Sequence, residues 1–291
     1  KGMHDSKLPI SSMIRGVRRP TIPMPRDRSP SGQWVRAGLA AWMALSPMAH
    51  AANCEARSGA SRAAILELFT SEGCNSCPPA DRWISRVPAK EFGPQQILPL
   101  AFHVDYWDSL GWKDRFSQSR FTTRQHVHAE RNQAKFVYTP QFLLNGQDFR
   151  PTGSNAALMT RLASLNARLP GAHLHLRQTS AAHGPDVHLE ANLTADHEGV
   201  PAETFLFLTE DNLSTEVQAG ENSGKKLSHD FVVRDMAGPI PSGPGGRILW
   251  KGSFRLAPDW KTKNLALTAF VQDPRNGGVL QALRSPVCMD P

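Results

Sequence analysis

Apolar positions along the chain follow two regimes that meet near residue 170. Before it, apolar runs alternate with stretches of helical spacing. Ala63 to Phe69 is apolar enough to predict a buried strand, and Ala80, Trp83, Ile84 and Val87 recur at helical spacing, predicting a helix from about Pro78 to Val87 that Pro88 to Pro94 breaks. Gln96 to Phe102 predicts the next strand, although Pro99 removes one donor from it. Strand, helix and strand then make a β-α-β unit with parallel pairing. Ser117 to Lys135 reads as a polar helix. Phe136 to Gly146 reads as a strand entered through Thr139-Pro140 and ended by the turn Asn145-Gly146, and Ser154 to Leu169 as a helix stopped by Pro170-Gly171.

From Ala172 the pattern changes to short alternating segments: His173 to Thr179, Val187 to Thr194, Thr204 to Thr209, Leu227 to Met236, Arg247 to Leu256, Leu265 to Gln272 and Val279 to Ser285. Gly- and Pro-rich turns such as Gly243-Pro244-Gly245-Gly246 and Asn276-Gly277-Gly278 separate them. Strands at this spacing without helices predict an antiparallel sandwich-like domain.

Length changes this picture by adding a boundary. At 291 residues the chain exceeds one usual core, so residues 52–170 and 171–291 are expected to form two domains behind a segment 1–51. That segment carries the basic flank up to Arg36, the apolar run Ala37 to Leu45 and the small-residue site Ala49-His50-Ala51. Together these read as a leader and signal peptide, removed on export. The apolar run is too short to span a bilayer, so no transmembrane segment is expected after cleavage. The formal charge of +7 is largely a property of the leader: residues 1–51 hold 8 Lys+Arg and 2 Asp+Glu, leaving 25 against 24 beyond them. Near-neutrality removes the electrostatic argument for a nucleic-acid partner.

The candidate chemistry is concentrated in Glu72-Gly73-Cys74-Asn75-Ser76-Cys77-Pro78-Pro79. A buried strand, then two cysteines three apart, then a helix is the layout of a thioredoxin-like redox site. Positions i and i+3 lie about one turn apart, close enough for a disulfide after a small backbone adjustment. Thiolate is the nucleophile in disulfide exchange, and unpaired N–H groups at a helix start favour it, which points to Cys74 as the reactive sulfur and Cys77 as the resolving one. Pro78 and Pro79 fit only the first turn, where N–H groups have no helical partner. The fold class expected is therefore an α/β thioredoxin-like domain followed by an antiparallel β-sandwich-like C-terminal domain.

Other candidates are placed relative to this pair. Pro140 would be trans on base rate, but in thioredoxin-like folds a cis-proline here faces the cysteines and presents backbone to a substrate chain, so Thr139 and Pro140 are expected to position a partner. The segment His103 to Phe116 interleaves aromatics with charges just after a strand, and Tyr106 and Trp107 are read either as a wall beside the site or as cover for the core. His103 and Asp105 are read as supporting groups, the first as a loop-supporting histidine or a ligand, the second as a proton relay or a loop-closing carboxylate. Cys54 and Cys288 are expected to form a structural disulfide in an oxidising compartment.

Several blocks together resemble a known family. Leu66 to Cys74, Pro78 to Asp81, His103 to Asp108, Leu110 to Asp114, Phe121-Thr122 with Arg124-Gln125, and Tyr138 to Gln141 are similar to the secreted thioredoxin-like proteins grouped as domain of unknown function 1223. Gly220 to Gly224 with Leu227, His229 and Val232 to Arg234 also fits. The resemblance implies an exported bacterial protein with a thioredoxin-like domain and a β-rich part, and it implies no substrate.

The leading expectation is a periplasmic or secreted thiol-disulfide oxidoreductase with no cofactor, acting on a protein or small-molecule thiol or disulfide and recharged by a redox partner the sequence does not identify. One alternative is a copper or zinc binding protein or chaperone using Cys74, Cys77 and His103, with His126 and His128 as further candidate ligands. Another is a noncatalytic binding module with an inert disulfide. Glu221, Asn222, His229 and Arg234 form a polar group to which the sequence assigns no purpose; docking the two domains is one reading of it.

Overall fold

Apolar runs become strands here because a strand at the centre of a sheet needs apolar side chains on both faces. The structure is a computed structural model that describes residues 53–86, 92–93, 95–151, 155–183, 186–197 and 201–288, so the expected leader, Val87 and Pro88 lie outside the described residues. The first half contains β1 (Asn53–Arg57), β2 (Ala64–Thr70), α1 (Pro78–Ile84), β3 (Ile97–His103), α2 (Ser119–Arg131), β4 (Gln141–Leu144), β5 (Gln147–Phe149) and α3 (Ala156–Asn166). The second contains β6 (Ala172–His183), β7 (Asp186–His197), β8 (Glu203–Glu210), β9 (Leu213–Glu216), β10 (Lys226–His229), β11 (Val232–Pro241), β12 (Arg247–Leu256), β13 (Leu265–Gln272) and β14 (Val279–Pro286).

Strands β2 and β3 are buried at every position and pair in parallel from Ala64↔Ile97 to Thr70↔His103. On the other side of β2, β4 pairs antiparallel and turns into β5 through Asn145 and Gly146, both at positive φ. That is the two-residue turn whose twist matches a hairpin. Asn145 also accepts the N–H of Ile65 at 2.9 Å, fixing the turn against β2. Phe136 to Pro140, expected as the start of this strand, is irregular instead.

The expected fold class is overturned. Among the described residues the chain is β-rich, and strands from both sides of residue 170 share one eight-stranded mixed sheet, ordered β14-β13-β8-β11-β3-β2-β4-β5. No separate thioredoxin-like α/β domain precedes a separate sandwich. The join is made at Val232, which lies opposite Ala101 in parallel, with the Ala101 N–H donating to Phe231 O at 2.8 Å. Its physical reason is the free edge of β3, an apolar strand with β2 on one side and otherwise unpaired on the other. Cores cross the boundary as well: Phe102 meets Phe207 edge-on at 5.4 Å, and Phe69, Phe121, Phe205 and Phe270 pack in the same cluster.

The opposite face of β2 and β4 packs Leu66, Leu68 and Phe142 against Ile84 of α1 and Leu158 and Leu162 of α3. A second sheet, β1-β6-β7-β12, is antiparallel and buries Leu174, Leu176, Ile248 and Phe254 against Leu206 and Leu267 of the large sheet. The expected strand Leu227 to Met236 is broken at Phe231, which has φ of 58°, so that β10 leaves to pair only with β9. No helix among the described residues is long and apolar enough to cross a membrane.

Candidate functional site

Strand β2 ends at Thr70, and the next turns carry the chain into the cysteine pair. Cys74 and Cys77 are joined by a disulfide with Cα atoms 5.4 Å apart, and neither residue exposes any surface. Cys77 caps α1, its carbonyl accepting the N–H groups of Ala80 at 2.8 Å and Asp81 at 3.1 Å, while Pro78 and Pro79 occupy the first turn. The Sγ of Cys74 lies 3.3 Å from the hydroxyl of Ser76, and Ser76 is exposed.

Ser76 also lines a cleft of about 630 Å³, whose walls include Trp83, Tyr138, Pro140 and Phe142, with Arg150 also lining it. The Thr139–Pro140 bond is cis. Trp107 donates its indole N–H to Thr139 Oγ1 at 2.8 Å, which ties the aromatic loop to the proline. Tyr106 donates to Gln125 Oε1 at 3.3 Å, and Gln125 in turn donates to Tyr138 O and Gln141 Oε1, both at 2.8 Å. Asp105 accepts the Thr122 hydroxyl at 2.5 Å and returns its own N–H to that oxygen at 3.2 Å. It closes the loop onto α2.

Five ionisable side chains lie in the interior next to the cysteine turn: Glu72, Asp81, His103, Asp114 and His229 are each at most 5% exposed. His103 Nδ1 sits 2.6 Å from Asp114 Oδ2, which also accepts the Glu72 N–H at 2.8 Å. His229 Nε2 lies 3.3 Å from Glu72 Oε1 and its Nδ1 lies 3.9 Å from Asp81 Oδ2. Trp112 donates to Glu72 Oε2 at 3.0 Å, and Thr70 donates to Asp81 Oδ1 at 2.9 Å. The rings of His103 and His229 meet edge-on at 5.0 Å.

Burial and hydrogen bonding divide these groups. Burial wins at Asp81 and pushes its carboxyl above the usual aspartate value against the pull of His229 and His103. At Glu72 burial is outweighed by hydrogen bonds from His229, Thr215 and Trp112, and at Asp114 by His103 and backbone N–H groups, so both carboxyls are lowered. Burial opposes the charged form of His103, but Asp114 beside it raises the imidazole above its usual value. The set therefore holds a neutral-favouring acid next to an ion pair.

Part of the site comes from the second half of the chain. Asn222, wholly buried, donates to the carbonyls of Glu72 at 2.8 Å and Cys74 at 2.9 Å, and Glu221 accepts the Asn75 N–H at 3.0 Å. The segment between β9 and β10 approaches through Gly220, where a Cβ would lie 3.1 Å from Trp112 Cβ on a backbone already at φ of 70°. Of the polar group singled out in the sequence, Glu221, Asn222 and His229 reach the site. Arg234 does not; it pairs with Glu210 at 3.5 Å between Phe116 and Trp260.

His126 is exposed, and His128 points at Glu67, 3.3 Å away. Among the described residues no group of three or more His, Cys, Asp or Glu side chains is arranged to hold a metal ion. Cys54 and Cys288 form the second disulfide, linking β1 to the segment after β14 across 234 residues. Two disulfides are chemistry of an oxidising environment. Sequence reading passed over Glu72, Asp81 and Asp114 as site groups. The available signal was Asp81, an acid four residues after Cys77 and flanked by the apolar positions Ala80 and Ile84.

Comparison with known proteins gives a family and two similar folds. A family model described as a protein of unknown function, DUF1223, matches residues 65–272. HBP35 of Porphyromonas gingivalis has a similar solved structure, with a TM-score of 0.60 at 17% identity over 79% of this chain and 76% of that one. A protein of Agrobacterium tumefaciens is similar with a TM-score of 0.52 at 23% identity over 78% of this chain and 96% of that one. Both likenesses concern the fold. A comparison with curated proteins finds no match.

Proposed function

Because the chain belongs to the DUF1223 family, whose description assigns no activity, its chemistry has to be argued from its own residues, and we propose that it is an exported thiol-disulfide oxidoreductase working through Cys74 and Cys77. The observation that carries this reading is a disulfide between cysteines three apart that sits between a cleft containing cis-Pro140 and a buried set of titratable acids and imidazoles. A purely structural bridge has no need of either neighbour. The pair of disulfides supports a periplasmic or secreted location.

In the proposed step a substrate thiolate attacks Sγ of Cys74, on the Ser76 side, and the Cys74–Cys77 bond breaks with its electron pair leaving on Cys77. Asp81, four residues after Cys77 on α1 and favoured in its protonated form by burial, is assigned as the acid that supplies the proton this thiolate takes up. The second substrate thiolate then attacks the substrate sulfur of the mixed disulfide and releases Cys74. Two substrate thiols become a disulfide and lose two electrons, and the protein's pair gains those electrons and two protons. Run in reverse, the dithiol reduces a substrate disulfide, and the direction follows the potential of the couple relative to an external thiol-disulfide partner. Thr139 and cis-Pro140 are assigned to hold the substrate in the cleft, with Tyr106 and Trp107 fixing that wall.

One observation favours a second reading, an inert bridge: both cysteines are fully buried. The deciding experiment equilibrates the protein in graded redox buffers, traps thiols and reads masses. A Cys74–Cys77 couple between roughly −270 and −120 mV, the span of exchange catalysts, is expected. A couple below about −300 mV would instead make the bridge structural.

A further inference from the structure

Away from the cysteines, a cleft of about 550 Å³ opens between α3, the β4–β5 turn and the turn that precedes β14. Its helical wall is Arg161, Ser164 and Leu165, a spacing of i, i+3 and i+4 that puts all three on one face of α3, and Arg168 lines the cleft just beyond the helix end. Arg62 also lines the cleft, donating its Nε to the carbonyl of Leu169 at 3.2 Å. Its Nη2 lies where a Cβ on Gly171 would come within 3.3 Å, so glycine leaves the room this guanidinium occupies. Arg161 donates to the carbonyl of Asp148 at 3.3 Å.

Carbonyl partners leave the positive charge of this cleft unbalanced. Its one carboxylate among the described residues, Asp273, is taken up by Arg275 through bonds of 2.9 and 2.6 Å. The mutual repulsion is felt at Arg62, where burial and the neighbouring Arg168 hold the guanidinium below its usual value. Leu144 and Val279 add apolar surface to the same cleft.

We propose that this cleft binds a phosphomonoester with an apolar body, its phosphate held by Arg62 and Arg168 with Arg161 as the third cation. A phosphate dianion offers three acceptor oxygens and matches more than one planar guanidinium fork, whereas a single carboxylate is filled by one arginine. The apolar side chains take the organic part. No cysteine lines this cleft, so binding here is independent of the exchange chemistry proposed above.

Calorimetric titration of the full chain with phenyl phosphate and with inorganic phosphate tests it. Saturable binding of phenyl phosphate is expected, tighter than that of inorganic phosphate, at least tenfold weaker in Arg168→Gln and in Arg62→Gln, and unchanged in Arg150→Gln, which alters the other cleft. Arg168 is exposed beyond the end of α3, so its variant keeps the fold, and a thermal unfolding curve verifies this. The proposal is overturned if neither probe binds saturably, if the two probes bind equally, or if both cleft substitutions leave binding unchanged.

Discussion

Two buried charged clusters lie along the same strand and its continuation, and they solve the same problem differently. At the middle of β2, Glu67 faces α2, where Arg124 Nε lies 2.6 Å from its carboxylate and His128 lies 3.3 Å away. Arg124 is enclosed by Phe102, Phe205, Phe207 and Phe270, with ring centroids 4.7 to 5.6 Å from the guanidinium carbon. Five residues on, Glu72 has no guanidinium partner among the described residues; its neighbours are His229, Trp112, Thr215 and, through its own N–H, Asp114. A guanidinium is always charged, so the first cluster is an ion pair at every ordinary pH. Carboxyls and imidazoles exchange protons, so the second can change charge without the fold coming apart. Position in the fold matches this division: the permanent pair clamps the sheet to α2, and the titratable set lies next to the disulfide.

The largest expected effect breaks the clamp. Arg124→Met leaves an uncompensated buried carboxylate and is expected to cost about 3–5 kcal/mol in urea unfolding, while the double variant Glu67→Met/Arg124→Met recovers most of it. Equal losses in the single and double variants would mean that the pair carries no special weight.

Acid unfolding sharpens the contrast. Through desolvation opposed by the stronger pull of Arg124 and His128, Glu67 is lowered from 4.5 to about 2. A lowered carboxyl contributes stability that is complete above its unfolded value and is lost as pH falls through its folded one. About 3 kcal/mol should therefore disappear between roughly pH 4.5 and 2, and the double variant should show a flatter profile. His103 has the opposite sign: raised by Asp114, it contributes stability that is complete below 6.5 and lost as pH rises through its folded value. Asp114→Asn should remove that alkaline loss, as read from unfolding midpoints across pH.

The smallest effect probes the titratable cluster alone. Asp81→Asn is expected to slow thiol-disulfide exchange at least tenfold, about 1.4 kcal/mol, and to change the pH profile of the rate with the unfolding midpoint held or raised. A rate and pH profile identical to the unmodified protein would remove Asp81 from the proposed proton step.

How legible all this was differs by residue. The strands β2 and β3 could be read from their apolar runs and β8, β13 and β14 from alternating segments set off by turns, while Asn145-Gly146 announced a turn but not the strand β5 that follows it. Strand β1 was missed because Asn53 to Arg57 has no apolar pattern; it is a strand because β6 offers it an edge. The break at Phe231 was missed too, since no local rule places an aromatic residue at positive φ. Cys74 and Cys77 were legible because spacing alone brings them together, and Thr139 and Pro140 through the motif before them. Asp114 lies in the same short segment as its partner His103, whereas His229 reaches the site through a long-range contact that no window of sequence contains.

The sequence by itself therefore determined local features: the buried strands β2 and β3 and the helix that opens at Pro78, that two cysteines three apart can bond, and that residues 65–272 carry the family's pattern. Tertiary structure decided that the two halves share one sheet, that Asn222 reaches the carbonyl of Cys74, and that His229 comes to rest between Glu72 and Asp81. Side-chain periodicity depends on neighbours within a few residues, whereas pairing of one strand edge with another depends on which edges remain unsatisfied after everything else has packed.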